Sequence, residues 1–355
     1  MSVLVPCLVR SVDRSGGVVV RLGVRLLDEY LEFLAGRCRS NTVLAVAYDL
    51  KVFFAAVGKP AEQVRPADVL GFITGQRAGG DGRRLQAVEV GGVSARTVAR
   101  RLSSISGLYG FLQARGDVPA NPVPRGLPTR RERQRPRQTV QLVRTARTLP
   151  RILEPGQVDA LLGALRTYRD RAMAEAMVLG GLRRCEVLGL RLGDLRVAER
   201  RVFIAEGKGG HQRVVPVSGR FFTSVGSYLD AERPAGSSTD RVFVVLKGRR
   251  RGLPLSAAGL DEVLDGARRR AGLDRATCHQ LRHTCLTRLR EAGMALEAVQ
   301  AQAGHASIES TRIYLHLADD WLAGQYRRAA EAIDAQLLPG RPAPTTGLSG
   351  VDGDR

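Results

Sequence analysis

The sequence predicts a mainly α-helical (α+β) protein: an N-terminal helical domain, then a larger C-terminal domain of helices with a small antiparallel β-sheet. Three observations predict it. Apolar residues recur at helical spacing in two separate stretches, from about residue 25 to 115 and from 151 onward. In the second stretch, runs rich in β-branched residues fall at Val202–Ala205, Arg213–Val217 and Val242–Leu246. Between Thr129 and Arg151, eight arginines face one glutamate, with Pro136 and Pro150 and few apolar anchors, which reads as an extended linker. The expected layout is a lead-in at 1–24, a helical domain at 25–122, a basic linker at 123–150, a second domain at 151–338 and a disordered tail at 339–355. A chain of 355 residues is long for one domain and comfortable for two.

Taken in order, Gly16-Gly17 interrupts the valine-rich lead-in, which reads as loosely structured. A first helix is expected over 26–34. Ser40 or Asn41 caps a second, with Val43, Ala47, Leu50 and Phe54 on one stripe and Gly58-Lys59-Pro60 as its stop. Pro66–Ile73 reads as a third helix and the glycine-rich 78–92 as a loop. Ser94 caps a fourth, carrying Val98, Leu102, Ile105, Tyr109 and Leu112 inward. Its other face shows Arg96, Arg100 and Arg101, read as DNA-facing against the plainer alternative of a solvated face. Asn121-Pro122 closes this bundle.

Helical patterns resume over 153–166 and 170–179, and Gly180-Gly181 stops the second, so Arg183 opens the next element. Gly207-Lys208-Gly209-Gly210 between two β-rich runs is a hairpin signal. Helices over 221–231 and 256–271 follow, separated by the Val242–Leu246 strand. Thr277 caps a helix on which His279, Arg282 and His283, spaced by three and four, share one face. A helix over 295–303 ends at Gly304-His305. Tyr314 follows in a short segment, and a last amphipathic helix shows Leu322, Tyr326, Ala330, Ile333 and Leu337.

Fifty-five Lys+Arg against 35 Asp+Glu leave a net charge of +20. Such an excess, most of it arginine, points to a polyanionic partner, because bound phosphate displaces counterions and the guanidinium fork holds it bidentately. The five cysteines are odd in number and scattered, forming no disulfide frame or CxxC zinc knuckle, which fits a reducing cytoplasm. No secretory signal is evident, and no run approaches the roughly 20 apolar residues of a membrane span.

Imidazoles, guanidiniums and a tyrosine in the order His279, Arg282, His305, Tyr314 form a kit for cutting a phosphodiester. A tyrosine hydroxyl, with an ordinary pKa near 10, is a poor nucleophile until its proton is withdrawn and cations stabilise the phenolate. Arg183 and Arg282 are candidates to grip the non-bridging oxygens, Lys208 to protonate the leaving oxygen, His279 to handle the tyrosine proton and His305 to hydrogen-bond the phosphate. His279 and His283 beside Cys278 and Cys285 also allow a zinc reading, but no distant ligand pair completes a tetrahedral site. Arg184, next to Arg183, reads as a salt-bridge or DNA-backbone residue, and Arg130 and Arg131 as phosphate contacts in the linker.

The set Gly181-Leu182-Arg183-x-x-Glu186, Lys208 in a hairpin, His279-x-x-Arg282-His283-Thr284, Gly304-His305 and Thr311-x-x-Tyr314-x-His316 resembles the tyrosine recombinase (phage integrase) family. The match covers roughly 181–316 and is specific, with six chemically distinct positions in family order. The helical region at about 25–115 resembles the family's core-binding (SAM-like) domain by pattern alone. The resemblance implies Tyr314 as the nucleophile forming a 3′-phosphotyrosyl bond, Arg183 and Arg282 as phosphate clamps and Lys208 as general acid. It also implies His279 and His305 as proton-transfer and phosphate-binding groups, with Glu186 and His283 in support. No metal, nucleotide or other cofactor is implied. The implied partners are double-stranded DNA at specific sites and further copies of the chain, four protomers on two sites, in the cytoplasm and on the nucleoid when DNA-bound, with no membrane. Accessory proteins are not read from the sequence. Two departures stand out: Ala303 precedes Gly304 where relatives often carry leucine, and Arg312 occupies a position often small or polar. A topoisomerase of type IB that merely relaxes DNA, and a non-catalytic DNA-binding regulator of the same fold, remain open at this point.

Overall fold

The computed structural model describes residues 6–12, 18–78, 92–124, 142–143, 151–205 and 212–304. The chain divides into two compact units, Met1–Arg147 and Thr148–Arg355, each with its own core.

In the first unit, strands β1 (Val9–Val12) and β2 (Val18–Arg21) pair antiparallel, with Val9 opposite Arg21 and Val12 opposite Val18. The described part of the lead-in, expected to be loose, is therefore folded: Val20 and Leu22 are buried in the helical core and the Asp28 carboxylate accepts the Leu22 and Gly23 backbone N–H groups. Four helices follow, α1 (Arg25–Ala35), α2 (Ser40–Val57), α3 (Pro66–Ala78) and α4 (Ala95–Arg115). The Ser94 side chain accepts from the Thr97 backbone N–H at the start of α4, as its position predicts. Gly58, in the left-handed region, ends α2. Val98, Leu102, Ile105, Leu108, Tyr109 and Leu112 of α4 pack against Leu50, Phe53 and Phe54 of α2 in one core. The Asn121 side chain donates to the Ser106 carbonyl and closes the bundle.

By length and apolarity alone, α2 is able to cross a membrane. Its packing identifies it as a core helix, because it also buries Asp49, which a bilayer would penalise and which here accepts from Arg100 and Ser104. Within the stretch expected to be linker, Val143 is buried and Leu142 half-buried against the same core, so the first unit extends past its last helix.

The second unit contains α5 (Pro155–Gly163), α6 (Tyr168–Val178), α7 (Arg184–Gly189), a short sheet of β3 (Leu195–Arg196), β4 (Arg201–Ile204) and β5 (Arg213–Pro216), then α8 (Gly219–Ala231), α9 (Ala257–Arg270), α10 (Cys278–Glu291) and α11 (Leu296–Ala303). The sheet order is β3-β4-β5, antiparallel throughout, with Ile204 opposite Arg213 at the open end of the β4–β5 pair. The core of this unit centres on α6, buried from Ala172 to Val178 and packed against α8 and α10. Alanine and methionine suit a helix covered on all sides, since they fill gaps without demanding space. The run Val242–Leu246, expected as a strand, is not one. The Val242 N–H donates to the Leu190 carbonyl and its own carbonyl accepts from Tyr228, the Val244 N–H donates to the Tyr228 hydroxyl and its carbonyl accepts from Arg169, and Val245 pairs locally with Leu253, so Val242 and Val244 are buried residues on an irregular segment. The predicted cap Thr277 accepts from Gln280, and Ser256, expected as the first residue of its helix, instead caps it by accepting from Gly259.

A candidate phosphate-clamp site

The site is assembled from four segments of the second unit around one buried carboxylate. Two glycines place its parts. Gly181, at φ +69°, turns the chain after α6, and Gly304, at φ +58°, turns it after α11. Arg183 stands in extended conformation just before α7, and Glu186, in that helix's first turn, reaches back to accept the Arg183 backbone N–H at 2.9 Å. The same carboxylate accepts from Arg183 Nη1 at 2.8 Å and from both Nη atoms of Arg213 on β5 at 3.0 and 2.9 Å, a two-bond fork. Arg282 Nη1, from α10, lies 3.9 Å from Glu186 Oε2. One fully buried carboxylate thus serves three guanidiniums. Burial alone would raise the Glu186 carboxyl, but hydrogen bonds from Arg213 and Arg183, with the Arg213 charge, outweigh it and hold the group below the ordinary carboxylate range.

The two arginines singled out from the sequence converge on the end of α11. Arg282 Nη2 donates to the Ala303 carbonyl at 2.6 Å, and Nη1 to that of Gly181. Arg183 Nη2 donates to the Gly304 carbonyl at 3.1 Å. The last carbonyls of a helix have no partner within it and carry the negative end of its dipole, so two cations there are favourably placed. Gln302 fastens the same end by donating to Gly180 and Pro216 carbonyls at 2.8 and 3.0 Å. Ala303, the departure noted above, is buried beside Leu286 and Val299, in a cluster that seats α11 on α10.

His279 and His283, one turn apart on α10, bring their Nε2 atoms to 2.7 Å. One nitrogen must donate and the other accept, so the pair holds a proton between two rings that cannot both be charged comfortably. Desolvation, then the Arg282 and Arg183 charges, lowers the His279 pKa below its ordinary value. The cysteines flanking them are buried thiols, both pushed up to about 12, chiefly by burial. Cys278 Sγ contacts Asp261, and among the described residues no group of three or more His, Cys, Asp or Glu is arranged to hold a metal.

The remaining expected residues divide into two groups. Lys208, His305, Tyr314, Arg130 and Arg131 lie outside the described residues. Arg96 is exposed on α4. Arg100 is half-exposed and bonded to Asp49 at 2.5 Å, whereas Arg101 is mostly covered and bonded to Gln76. Arg184 is paired with Asp261 on α9. Arg213 and Gln302 were missed by sequence reasoning. Nothing in their local pattern separates them from other polar residues on a strand or a short helix, although Arg213 follows the Lys208 turn by five positions.

Comparison with known proteins agrees with this architecture. The family model described as the phage integrase family matches residues 151–320, and that described as the phage integrase N-terminal SAM-like domain matches 27–116. A tyrosine recombinase XerC of Roseiflexus castenholzii is 34% identical over 308 residues, 82% of this chain and 88% of the relative. A tyrosine recombinase XerD of Neisseria meningitidis serogroup A is 30% identical over 309 residues, 84% of this chain and 96% of the relative. Two solved structures share the fold: XerH recombinase on palindromic difH substrate, a post-cleavage complex (TM-score 0.59, 19% identity, 88% of this chain, 89% of that one), and a lambda integrase dimer bound to a COC′ core site (TM-score 0.58, 17% identity, 82% of this chain, 76% of that one). The chain belongs to the phage integrase family of tyrosine recombinases, enzymes that break and rejoin DNA strands.

Proposed function

We propose that this site-specific recombinase cuts one DNA strand with Tyr314 and stores the bond as a 3′-phosphotyrosyl ester. The tyrosine oxygen attacks phosphorus, its proton passes to His279, the 5′-oxygen departs, and Lys208 protonates it. Because the ester conserves the phosphodiester's energy, rejoining needs no nucleotide, and with arginines holding the phosphate the step needs no metal. Arg183 and Arg282 offset the charge that builds on the non-bridging oxygens, His305 hydrogen-bonds the same phosphate, and Glu186 with His283 holds the set in place. The observation that carries this reading is the convergence of Arg183 and Arg282, residues far apart in sequence, on the chain end that leads directly into His305, with Glu186 bonded to Arg183. Strand exchange is read as occurring between two specific duplex sites held by four protomers. This is supported by relatives solved on site DNA, one of them as a dimer. Arg96, Arg100, Arg130, Arg131 and Arg184 are read as supplementary backbone contacts, and Arg101 as a brace for α4. Five free cysteines support action in a reducing cytoplasm, on nucleoid DNA.

A nicked target duplex, which loses its 5′ fragment after cleavage, tests the assignment. Wild-type protein is expected to accumulate as a covalent DNA adduct resistant to denaturant, and Tyr314→Phe to give none. Adduct from the phenylalanine variant would transfer the nucleophile to another residue. The same assay reads the proton acceptor. His279 accepts a proton only when neutral, and its folded pKa lies below the ordinary imidazole value of 6.5. Single-turnover cleavage is therefore expected to hold steady through pH 7 and fall only at more acid pH, and His279→Gln is expected to remove that inflection. A break at or above the ordinary value would contradict the assignment.

A further inference from the structure

We propose that Arg213 is a positioning residue of the cleavage site, keeping Arg183 and Arg282 available to phosphate by engaging both oxygens of Glu186 and bracing the chain at Gly304. The inference rests on the reading of Arg183 and Arg282 as phosphate clamps and adds a residue to which that reading gives no role.

A carboxylate has two oxygens, and here three guanidiniums share that single pair. Arg213 occupies both Glu186 oxygens at 2.9–3.0 Å, while Arg183 takes one and Arg282 stands off at 3.9 Å. With Arg213 in place, most of the Glu186 charge is met by a group whose side chain has no other acceptor among the described residues. Its Nε is buried and makes no hydrogen bond. Remove Arg213, and the same charge falls on Arg183 and Arg282, whose donors are then spent on an acid rather than on a phosphate. The second contact is steric. A Cβ on Gly304 would sit 2.7–3.0 Å from three atoms of the Arg213 guanidinium, so that group lies directly against the glycine from which His305 continues. Arg213 is also the first residue of β5, paired with Ile204, the last of β4, so the intervening segment with Lys208 starts and ends at that pair. One side chain therefore ties together the carboxylate under both clamps, the base of the Lys208 segment and the start of the His305 segment.

The test is single-turnover cleavage of the nicked duplex by full-length wild type, Arg213→Met, Arg213→Lys, Glu186→Gln and the double variant Arg213→Met/Glu186→Gln, with DNA affinity by gel shift and thermal melts alongside. Arg213→Met is expected to slow cleavage by about 100-fold while changing affinity by less than about threefold. Adding Glu186→Gln removes the charge that Arg213 had answered, and is expected to restore cleavage by about tenfold over Arg213→Met alone. A purely structural arginine would give the double variant the summed loss of both single variants. If Arg213→Met does not fold, Arg213→Lys decides. One ammonium cannot serve both oxygens, so a loss of about tenfold with wild-type melting supports the role. Cleavage within about threefold of wild type in either variant, or no gain on adding Glu186→Gln, overturns it. Absence of any wild-type adduct, or an adduct from Tyr314→Phe, overturns the parent reading and this one with it. Loss of the effect at Arg213 alone leaves the parent reading standing.

Discussion

Glu186→Ala is expected to destabilise the second unit by about 3–5 kcal/mol, the usual cost of removing one partner from a buried ionic cluster. The deletion leaves Arg183, Arg213 and Arg282 facing one another across a small buried cavity, with the Arg213 fork unpaired and the Arg183 backbone N–H without its acceptor. At roughly 2–4 °C per kcal/mol for a unit of this size, the melting temperature should fall by roughly 6–20 °C. The pH dependence gives the stricter check. The folded-state pKa of Glu186 is depressed, so its contribution is fully present above the unfolded carboxylate value and is lost as pH falls through the lower folded one. Urea melts should therefore show a large gap between wild type and Glu186→Ala at pH 7 that narrows on acidification. A gap that stays constant down to strongly acid pH would mean that the carboxylate is not the source of the stability.

Arg183→Lys is expected to separate chemistry from stability. Arg183 Nη1 serves Glu186 and Nη2 serves the Gly304 carbonyl, two acceptors that a single ammonium cannot span. Losing one prearranged donor to a developing oxyanion costs about 10²–10³ in rate, and a drop of that order in single-turnover cleavage is expected. Stability should change by only about 1 kcal/mol, because the backbone N–H bond to Glu186 does not involve the side chain and the Arg183 side chain is partly exposed. Equal losses in melting temperature and rate across Arg183→Lys and Glu186→Ala would show that both act only through folding.

Much of this was legible from local chemistry. Ser94 and Thr277 cap helices because a side-chain oxygen before an apolar repeat has a donor waiting three residues on, a relation contained within one turn. Arg183 with Glu186, and His279 with Arg282, were legible because the spacing inside each pair is local. What escaped was non-local. The buried Asp49, the role of Arg213 and the anchoring by Gln302 depend on partners tens to more than a hundred residues away, and no periodicity encodes them. The lead-in was misjudged for the same reason: Val18–Arg21 is too short to announce a strand until Val9–Val12 lies beside it. At Val242–Leu246 the opposite error arose, since β-branched residues also suit a buried irregular segment.

The contacts that close the clamp span long stretches of chain: Arg183 to Gly304 joins residues 121 positions apart, and Arg282 to Gly181 joins residues 101 apart. During synthesis the arginine at 183 emerges long before the carbonyl that it will hold, and every partial product that stops short of Gly304 lacks the end of α11. Long loops must close before such contacts form, which places them late in folding. A chain that has not yet reached Gly304 can present its positive charge to DNA, yet it has no assembled clamp with which to cut, so the order of translation itself withholds strand breakage until that end is made.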